Sequence, residues 1–216
     1  MTKTIAKQEG HGALIEQRTD DWFAARLGDI TASRIADVVA RIKTGWGASR
    51  QKYKDDLMSE RLTMMPTVMF TNASMQWGID TEDDAASYYE LMTDYEVETV
   101  GYVKHPLIER AGASPDRLVN DVGLVEIKCP NTSTHIETIR TKTIPKKYRL
   151  QMQWQMACTE REWCDFVSFD PRIVDEDLNY FCVRVERDQE IIDYLTTEVL
   201  VFNEEIELEI ARLKNG

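Results

Sequence analysis

Two short motifs lie close together near the middle of the sequence: Ser114-Pro115-Asp116 and, separated from it by nine residues, Glu126-Ile127-Lys128. Between them, Asn120-Asp121-Val122-Gly123 has the composition of a tight turn. The segments on either side of this turn, 116–120 and 124–128, contain the Val, Leu and Ile residues typical of strands. The sequence therefore predicts an antiparallel hairpin that brings the two motifs side by side.

The predicted hairpin gathers charged side chains at one point. Side chains alternate along a strand, so Glu126 and Lys128 face one side and Ile127 faces the core. Across the hairpin Asp116 lies beside Glu126. Mg²⁺ prefers oxygen ligands and binds one or two carboxylates together with a substrate phosphate. A nearby lysine can orient the attacking water or stabilise developing charge. Asp116 and Glu126 are therefore the candidate metal ligands, and Lys128 is a candidate catalytic residue.

A third carboxylate can come from Glu82, in the acidic helical segment 77–82, if that helix packs across the sheet. Each half of the pattern also has a simpler explanation. A Glu-x-Lys sequence on a strand is commonly a solvent-facing charge pair, and Pro-Asp is common in turns. The two halves occur in the required order on adjacent predicted strands, which favours the functional interpretation.

The rest of the sequence predicts helices in the first ninety residues, and strands alternating with helices after them. The predicted helices are 20–27, ended by Gly28, then one from Thr31 to Ile42, Lys52–Leu62, Asn72–Met92, Thr132–Thr141, Pro145–Cys158 and Asp188–Leu213. The predicted strands are Val97–Lys104, Ile108–Ser114, Asp116–Asn120, Leu124–Lys128, Cys164–Phe169 and Tyr180–Val185. We therefore expect an α/β fold of the mixed α+β kind, with a central mixed β-sheet flanked by helices, a helical N-terminal region, and one domain over 1–216.

Composition excludes several classes of protein. The chain has 216 residues, 43% of them hydrophobic, so it can form a sizeable core and is not a disordered protein. No apolar run approaches the ~20 residues of a membrane helix, and Met1–Gln17 lacks the apolar segment of a secretory signal. Cys129, Cys158, Cys164 and Cys182 show neither CxxC pairs nor zinc-ligand spacing. We expect a soluble, cytoplasmic protein with buried free thiols and no membrane partner.

The charge is unevenly distributed, although the net value is −12. Arg41–Lys54 is a basic segment containing Trp46, and Leu62–Val103 has acids but no Lys or Arg. A second basic stretch, 128–149, follows, and the tail from Glu186 is acidic. An acidic total disfavours indiscriminate coating of nucleic acid but allows DNA binding through local basic patches. Each run can also be a solvated helix face, and Trp46 is a weak candidate for DNA contact.

These motifs resemble the PD-(D/E)xK nuclease motif, and their surroundings are similar to the family of bacteriophage lambda exonuclease and the YqaJ-type viral recombinases. The similarity extends over nearly the whole chain. The residues that carry it are Asp21-Trp22, Arg26-Leu27-Gly28, Ile30-Thr31-Ala32-Ser33, Trp77-Gly78, Glu82, Ala113-Ser114-Pro115-Asp116, Glu126-Ile127-Lys128-Cys129-Pro130, Tyr148 with Gln151 and Gln153, Asp170-Pro171-Arg172 and Glu186-Arg187-Asp188.

The resemblance implies a restriction-endonuclease-like core and a processive exonuclease. Such an enzyme degrades one strand of linear double-stranded DNA from its 5′ end, releases 5′-mononucleotides and leaves a 3′ single-stranded overhang for recombination by strand annealing. It also implies Mg²⁺ as cofactor, as two ions for which Mn²⁺ can substitute. The implied partners are a homotrimeric ring of the chain itself and a single-strand annealing recombinase, in a bacterial host with phage or prophage origin.

The resemblance also implies roles for individual residues. Asp116, Glu126 and the main-chain carbonyl of Ile127 are metal ligands, Lys128 is catalytic, and Glu82 supports the metal and its water. The implied pocket for the terminal 5′-phosphate and DNA contains Arg26, Ser33, Ser114, Gln151, Tyr148 and Gln153. Local explanations stay open for the pocket: the glutamines are good helix formers, Ser33 can cap a helix, and Arg26 can pair with an aspartate.

Two other functions remain as alternatives. An endonuclease can use the same metal centre, but it has no need for a pocket that captures a DNA end. A non-catalytic DNA-binding or recombination scaffold would be expected to have lost part of the metal motif, yet Asp116, Glu126 and Lys128 are all present.

Overall fold

The structure is a computed structural model that describes residues 16–67 and 72–215. Within these ranges the chain forms seven α-helices and ten strands. The helices are α1 (Asp20–Ala25), α2 (Ile35–Val38), α3 (Ala48–Thr63), α4 (Ala73–Thr93), α5 (Thr132–Thr141), α6 (Lys146–Thr159) and α7 (Gln189–Asn215). The strands are β1 (Ile30–Thr31), β2 (Arg41–Ile42), β3 (Gly45–Trp46), β4 (Val97–Glu98), β5 (Val103–Lys104), β6 (Ala111–Ala113), β7 (Arg117–Val119), β8 (Gly123–Lys128), β9 (Trp163–Phe169) and β10 (Tyr180–Glu186).

The central sheet has five strands in the order β10-β9-β8-β7-β4. Strands β8 and β9 are parallel and the other neighbouring pairs are antiparallel, so the sheet is mixed. The parallel pair is connected through α5 and α6, because parallel neighbours need a long crossover. The predicted hairpin is confirmed, since Arg117 of β7 pairs with Val125 of β8.

Alternation along β8 divides its side chains between the two faces of the sheet. Val125 and Ile127 pack in a cluster with Tyr89 and other residues of α4. Leu124 faces the opposite way and packs with Met152 of α6. Covered on both sides, β8 is almost wholly buried, as expected for a strand within a three-layer arrangement. The predicted central mixed sheet flanked by helices is therefore confirmed.

A second core joins the N-terminal helices to the C-terminal helix. Side chains of α2 and α3 pack with the buried stripe of α7, which includes Leu195, Phe202 and Ile210. A three-stranded sheet, β1-β6-β5, lies against the same core. Strand β1 pairs with β6 in this sheet, and β6 leads directly into Ser114-Pro115-Asp116.

Ion pairs between α3 and α7 account for the basic segment Arg41–Lys54. The buried guanidinium of Arg50 donates to both carboxylate oxygens of Glu205, at 2.7 and 3.0 Å, and Lys54 lies 3.0 Å from Glu209. Arg41 and Arg50 both lie over the ring of Trp46, each 3.9 Å from its centroid. Three of the five basic residues of the segment, Arg41, Arg50 and Lys54, thus pair with acids of α7.

The structure differs from the predicted elements in two regions. The helix predicted from Thr31 to Ile42 is a short strand, a 3-10 turn and the four-residue α2, followed by the β2–β3 hairpin, whose Gly45 has a φ of 143°. The single strand predicted at 97–104 is two strands, β4 and β5, which belong to different sheets. Gly28 does occupy the predicted left-handed conformation, with a φ of 71°.

In the described ranges no helix is long and apolar enough to cross a membrane. The sequence predicts that Met1–Gln17 is not a secretory signal. This stays a prediction, because residues 1–15 lie outside the described ranges.

Candidate active site

Asp116 and Glu126 lie side by side, as the hairpin predicts. Asp116 directly precedes β7, and its Oδ2 accepts a hydrogen bond of 2.6 Å from the main-chain N–H of Ile127. Glu126 is fully buried, on the face of β8 that looks toward α6. The two strands therefore hold a pair of carboxylates at the same level of the sheet.

The ammonium group of Lys128 lies where three oxygen atoms converge. Its Nζ donates to the main-chain carbonyl of Ile127 at 2.9 Å, lies 3.8 Å from Asp116 Oδ2, and forms an ion pair with Glu126 Oε1. A single cation therefore contacts both carboxylates and the carbonyl at once. These three groups are the ones that the sequence resemblance assigns to a metal ion.

Two glutamines of α6 hold the buried Glu126 carboxylate. The Nε2 atom of Gln151 donates to Oε1 and that of Gln155 donates to Oε2, each at 2.6 Å. Gln155 is fully buried, and its Oε1 is an orphan acceptor among the described residues. Sequence reasoning assigned Gln151 to the phosphate pocket and missed Gln155. The four-residue spacing that places both on one helix face is the signal that reveals the pair.

Burial and crowding perturb the charges of this site. Burial and the neighbouring Glu126 carboxylate raise the pKa of Asp116 from 3.8 to about 8, against the opposing effect of Lys128. For Lys128, burial opposes ionisation, but Glu126 and Asp116 outweigh it and raise the lysine pKa. The site thus favours a bound cation, since it contains more negative charge than Lys128 alone balances.

Glu82 on α4 is close enough to influence Asp116. It belongs to an ion-pair cluster of its own, with Arg117 and Arg18. Its Oε1 accepts from Arg117 at 3.1 Å, and its Oε2 pairs with Arg18. Arg117 is itself buried, and it also contacts Asp83 and the main-chain carbonyl of Asp116. Sequence reasoning missed both arginines, because neither has a local pattern that distinguishes it from a surface residue.

The oxygen donors of the site fit a hard divalent cation. Asp116, Glu126 and the carbonyl of Ile127 offer only oxygen atoms, and such a cation usually keeps waters and binds substrate phosphate as well. No three His, Cys, Asp or Glu side chains form a metal cluster by themselves within 16–67 and 72–215. Asp116, Glu126 and the Ile127 carbonyl are the oxygen donors around Lys128 Nζ that could hold such a cation.

Two of the residues predicted to bind a 5′-phosphate, Arg26 and Ser114, contact Trp22. The indole Nε1 of Trp22 donates to Ser114 Oγ at 2.9 Å, and the guanidinium of Arg26 lies 4.2 Å from the ring centroid. Burial lowers the pKa of Arg26, which reflects a poorly hydrated guanidinium. Ser33 is exposed on the 3-10 turn at Ala32–Arg34, which packs against α6. None of the hydrogen bonds described for the chain joins Arg26, Ser33, Ser114 and Gln151 to one another.

The last two predicted DNA contacts, Tyr148 and Gln153, have different surroundings in the structure. Tyr148 is half-buried beside the site, with Lys128 Nζ 5.3 Å and Lys147 Nζ 4.6 Å from its ring centroid. Gln153 is buried on α6, where its amide donates to the carbonyl of Glu186 and accepts from the N–H of Asp188. Gln153 thus connects α6 to the start of α7, and its contact with DNA stays a prediction.

The family model of the YqaJ-like viral recombinase domain matches residues 21–162. This segment contains Asp116, Glu126, Lys128 and Glu82, and the two glutamines of α6 that contact Glu126. The chain belongs to this family. The resemblance inferred from the motifs is therefore confirmed.

Solved structures agree with the family and with the fold. The chain is 52% identical to an alkaline exonuclease, LHK-Exo, from Laribacter hongkongensis, with a TM-score of 0.85 over 91% of this chain and 97% of that one. A structure of LHK-Exo in complex with dAMP matches with 51% identity and a TM-score of 0.86, with the same coverage. A phage-related exonuclease from Haemophilus somnus has 13% identity and a TM-score of 0.73, over 86% of this chain and 96% of that one, and supports the fold alone. A search of curated proteins finds no match. The predicted restriction-endonuclease-like fold is confirmed.

Proposed function

We propose that this protein is a divalent-metal-dependent exonuclease that degrades one strand of linear double-stranded DNA from its 5′ end and leaves a 3′ overhang. The observation that carries this proposal is the convergence of Asp116, Glu126 and the Ile127 carbonyl on one cation, the ammonium of Lys128. The sequence and structural similarity to LHK-Exo, together with the family match, supports a recombination-related exonuclease rather than another metal-dependent hydrolase. The whole chain then acts as one nuclease domain.

Each residue of the cluster has a distinct role in this proposal. Asp116, Glu126 and the Ile127 carbonyl hold the metal, which when bound polarises the scissile phosphate and lowers the pKa of a water. Gln151 and Gln155 fix the orientation of the Glu126 carboxylate through hydrogen bonds to its two oxygens. Lys128 contributes a positive charge that orients the attacking water and stabilises charge developing on the phosphate.

Capture of the 5′ end is proposed for the residues around Trp22. The poorly hydrated guanidinium of Arg26 can offer paired donors to a terminal phosphate, with the hydroxyls of Ser114 and Ser33 as further donors. Gln151 has a place in both parts of this proposal. It is assigned to the phosphate pocket, and its amide already donates to Glu126. Binding of the end determines which phosphodiester reaches the metal, and each cleavage creates the next 5′-phosphate to be bound. This repetition is the basis for the proposed processive release of 5′-mononucleotides.

The same proposal includes Mg²⁺ as the natural ion, a second ion, and Mn²⁺ as a substitute. It also includes assembly of three copies of the chain into a ring around DNA. A single-strand annealing protein that receives the 3′ overhang is the proposed partner.

The testing experiment compares three DNA substrates in the presence of Mg²⁺: a linear duplex with 5′-phosphates, the same duplex with 5′-hydroxyls, and a closed circle. Asp116→Ala serves as the control without a metal ligand. We expect mononucleotides from the linear duplexes, faster release from the phosphorylated one, an intact circle, and no product with Asp116→Ala.

Three outcomes contradict the proposal. Cutting of the closed circle assigns the metal site to an endonuclease. Absence of any cutting with Mg²⁺ or Mn²⁺ leaves a DNA-binding recombination scaffold. Equal activity of wild type and Asp116→Ala means that the catalytic site lies elsewhere.

A further inference from the structure

Each oxygen of the Glu82 carboxylate is already paired with an arginine. Arg117 donates to Oε1 and Arg18 pairs with Oε2. The Glu82 side chain is only 13% exposed, so solvent provides little alternative hydration. A metal ion or its water that approaches Glu82 therefore competes with the two arginines for the carboxylate charge.

The two arginines differ in how firmly they are held. The side chain of Arg117 is 9% exposed, and it also donates to Asp83 and to the main-chain carbonyl of Asp116. Arg18 is 43% exposed, and Glu82 is the acceptor described for its guanidinium. A buried arginine with three acceptors costs far more to displace than a half-exposed arginine with one. Arg18 is therefore the exchangeable partner of Glu82.

The main chain beside Arg18 is fixed over the catalytic motif. The amide of Gln17 donates to the carbonyls of Val100 and Pro115, at 2.7 and 2.8 Å. Arg18 has a φ of 71°, a left-handed conformation that is unfavourable for a residue other than glycine. The backbone therefore stays next to Pro115-Asp116 when the guanidinium swings away. A released Arg18 remains at the mouth of the site.

Charge balance gives the exchange its driving force. In this structure the carboxylates of Asp116, Glu126, Glu82 and Asp83 are paired with three cationic groups, on Lys128, Arg117 and Arg18. A divalent cation that binds the carboxylates supplies positive charge in place of these groups and repels them. The most exposed cation is then the one repelled, and a guanidinium leaving a carboxylate binds phosphate well.

We propose that Arg18 is an exchangeable counterion: it neutralises Glu82 in the metal-free protein and, when a divalent cation binds, moves to the DNA backbone. Metal binding and DNA binding are thereby coupled through one side chain. This inference rests on the proposed metal-dependent nuclease function. It adds Arg18 as a DNA-contacting residue, which the sequence motifs do not include.

The first arm of the test measures Mn²⁺ binding without DNA, by isothermal titration calorimetry, for wild type and Arg18→Gln. Loss of a competing, partly exposed ion pair is expected to tighten Mn²⁺ binding about two- to fivefold. Arg41→Gln is the matched control, because Arg41 is similarly exposed and pairs with Glu198, a residue of α7. A variant with a damaged fold would bind Mn²⁺ more weakly, which is the opposite sign.

The second arm measures affinity for a linear duplex as a function of salt, once with EDTA and once with Ca²⁺ replacing Mg²⁺, after confirming that Ca²⁺ gives no cleavage. One lost phosphate contact reduces the slope of log K against log salt by about 0.9. We expect this reduction for Arg18→Gln with Ca²⁺ and no reduction with EDTA. Arg18→Lys, which keeps the charge, is expected to retain the wild-type slope in both conditions.

The outcomes separate this inference from the function on which it rests. Unchanged Mn²⁺ affinity in Arg18→Gln, or a salt slope that falls equally with EDTA and with Ca²⁺, overturns the exchange while leaving the nuclease proposal intact. Failure of wild type itself to bind Mn²⁺ overturns the proposed metal site, and the exchange with it. Tighter Mn²⁺ binding together with a Ca²⁺-dependent loss of slope supports both.

Discussion

Replacing Asp116 by Asn is expected to stabilise the metal-free protein, and the gain is expected to grow with pH. The carboxyl group has a pKa near 3.8 in the unfolded chain and about 8 in the folded one, chiefly because of burial and the Glu126 carboxylate. Between these values the folded state binds the extra proton. Wild-type stability therefore falls as pH rises through this window and levels off above it. Asn does not titrate, and it can still accept the hydrogen bond from Ile127 N–H.

The size of the effect follows from linkage. One full proton per molecule changes the free energy of unfolding by at most ~1.4 kcal/mol per pH unit. The Asp116 side chain is 15% exposed, so solvent screens the effect only slightly. From pH 6 to pH 8 we expect the stability difference between Asp116→Asn and wild type to grow by about 1–2 kcal/mol, allowing for relaxation of the site. For a chain of 216 residues this corresponds to a Tm difference of roughly 2–8 °C.

Thermal unfolding followed by circular dichroism in EDTA, at half-unit steps from pH 5.5 to 8.5, measures this difference. Adding Mn²⁺ at about a hundred times its Kd should then stabilise wild type by about 2.7 kcal/mol and leave Asp116→Asn unchanged. The reasoning is refuted if the stability difference in EDTA is independent of pH, or if wild type is the more stable protein at pH 8.

Three further substitutions test other parts of the structure. Lys128→Ala should keep the fold and DNA binding but reduce hydrolysis at least about a hundredfold in a nuclease assay; full activity would mean that the site is misassigned. Gln155→Leu leaves Glu126 Oε2 buried without its donor and should cost about 1–3 kcal/mol in urea unfolding, whereas an unchanged midpoint would show that water replaces the amide. Arg50→Met removes the paired bonds to Glu205 and should lower stability by about 2 kcal/mol in the same assay; a neutral result would mean that packing by Met compensates.

Local sequence patterns predicted the elements that build the candidate metal site. The turn at Asn120–Gly123 and the alternation of Glu126, Ile127 and Lys128 depend on neighbours within a few residues, so they can be recognised in a single sequence. The short strand β1 and the separation of 97–104 into β4 and β5 depend on pairing with β6 and β7. Such pairing leaves no periodicity within the segments themselves.

Long-range charge pairing was the main feature that the sequence did not reveal. Arg50 and Glu205 are 155 residues apart, and in the sequence each belongs to a run of like charges that reads as a solvated surface. The roles of Arg18 and Arg117 at the candidate active site could not be recognised from the sequence for the same reason. Only the packing of α4 against the hairpin brings Glu82 to them. Gln155 is different, since its spacing from Gln151 already places both on one face of α6.

The packing of α7 against α2 and α3 affects the order in which parts of the chain can fold during synthesis. The N-terminal core includes Ile192, Phe202 and Ile210 of this last helix, so it cannot close while the ribosome still holds those residues. Until then the apolar side chains of α3 and the cations of Arg50 and Lys54 lack their partners on α7. The central sheet, by contrast, is complete once β10 has emerged. Folding of the central sheet can therefore precede closure of the core that α2, α3 and α7 share.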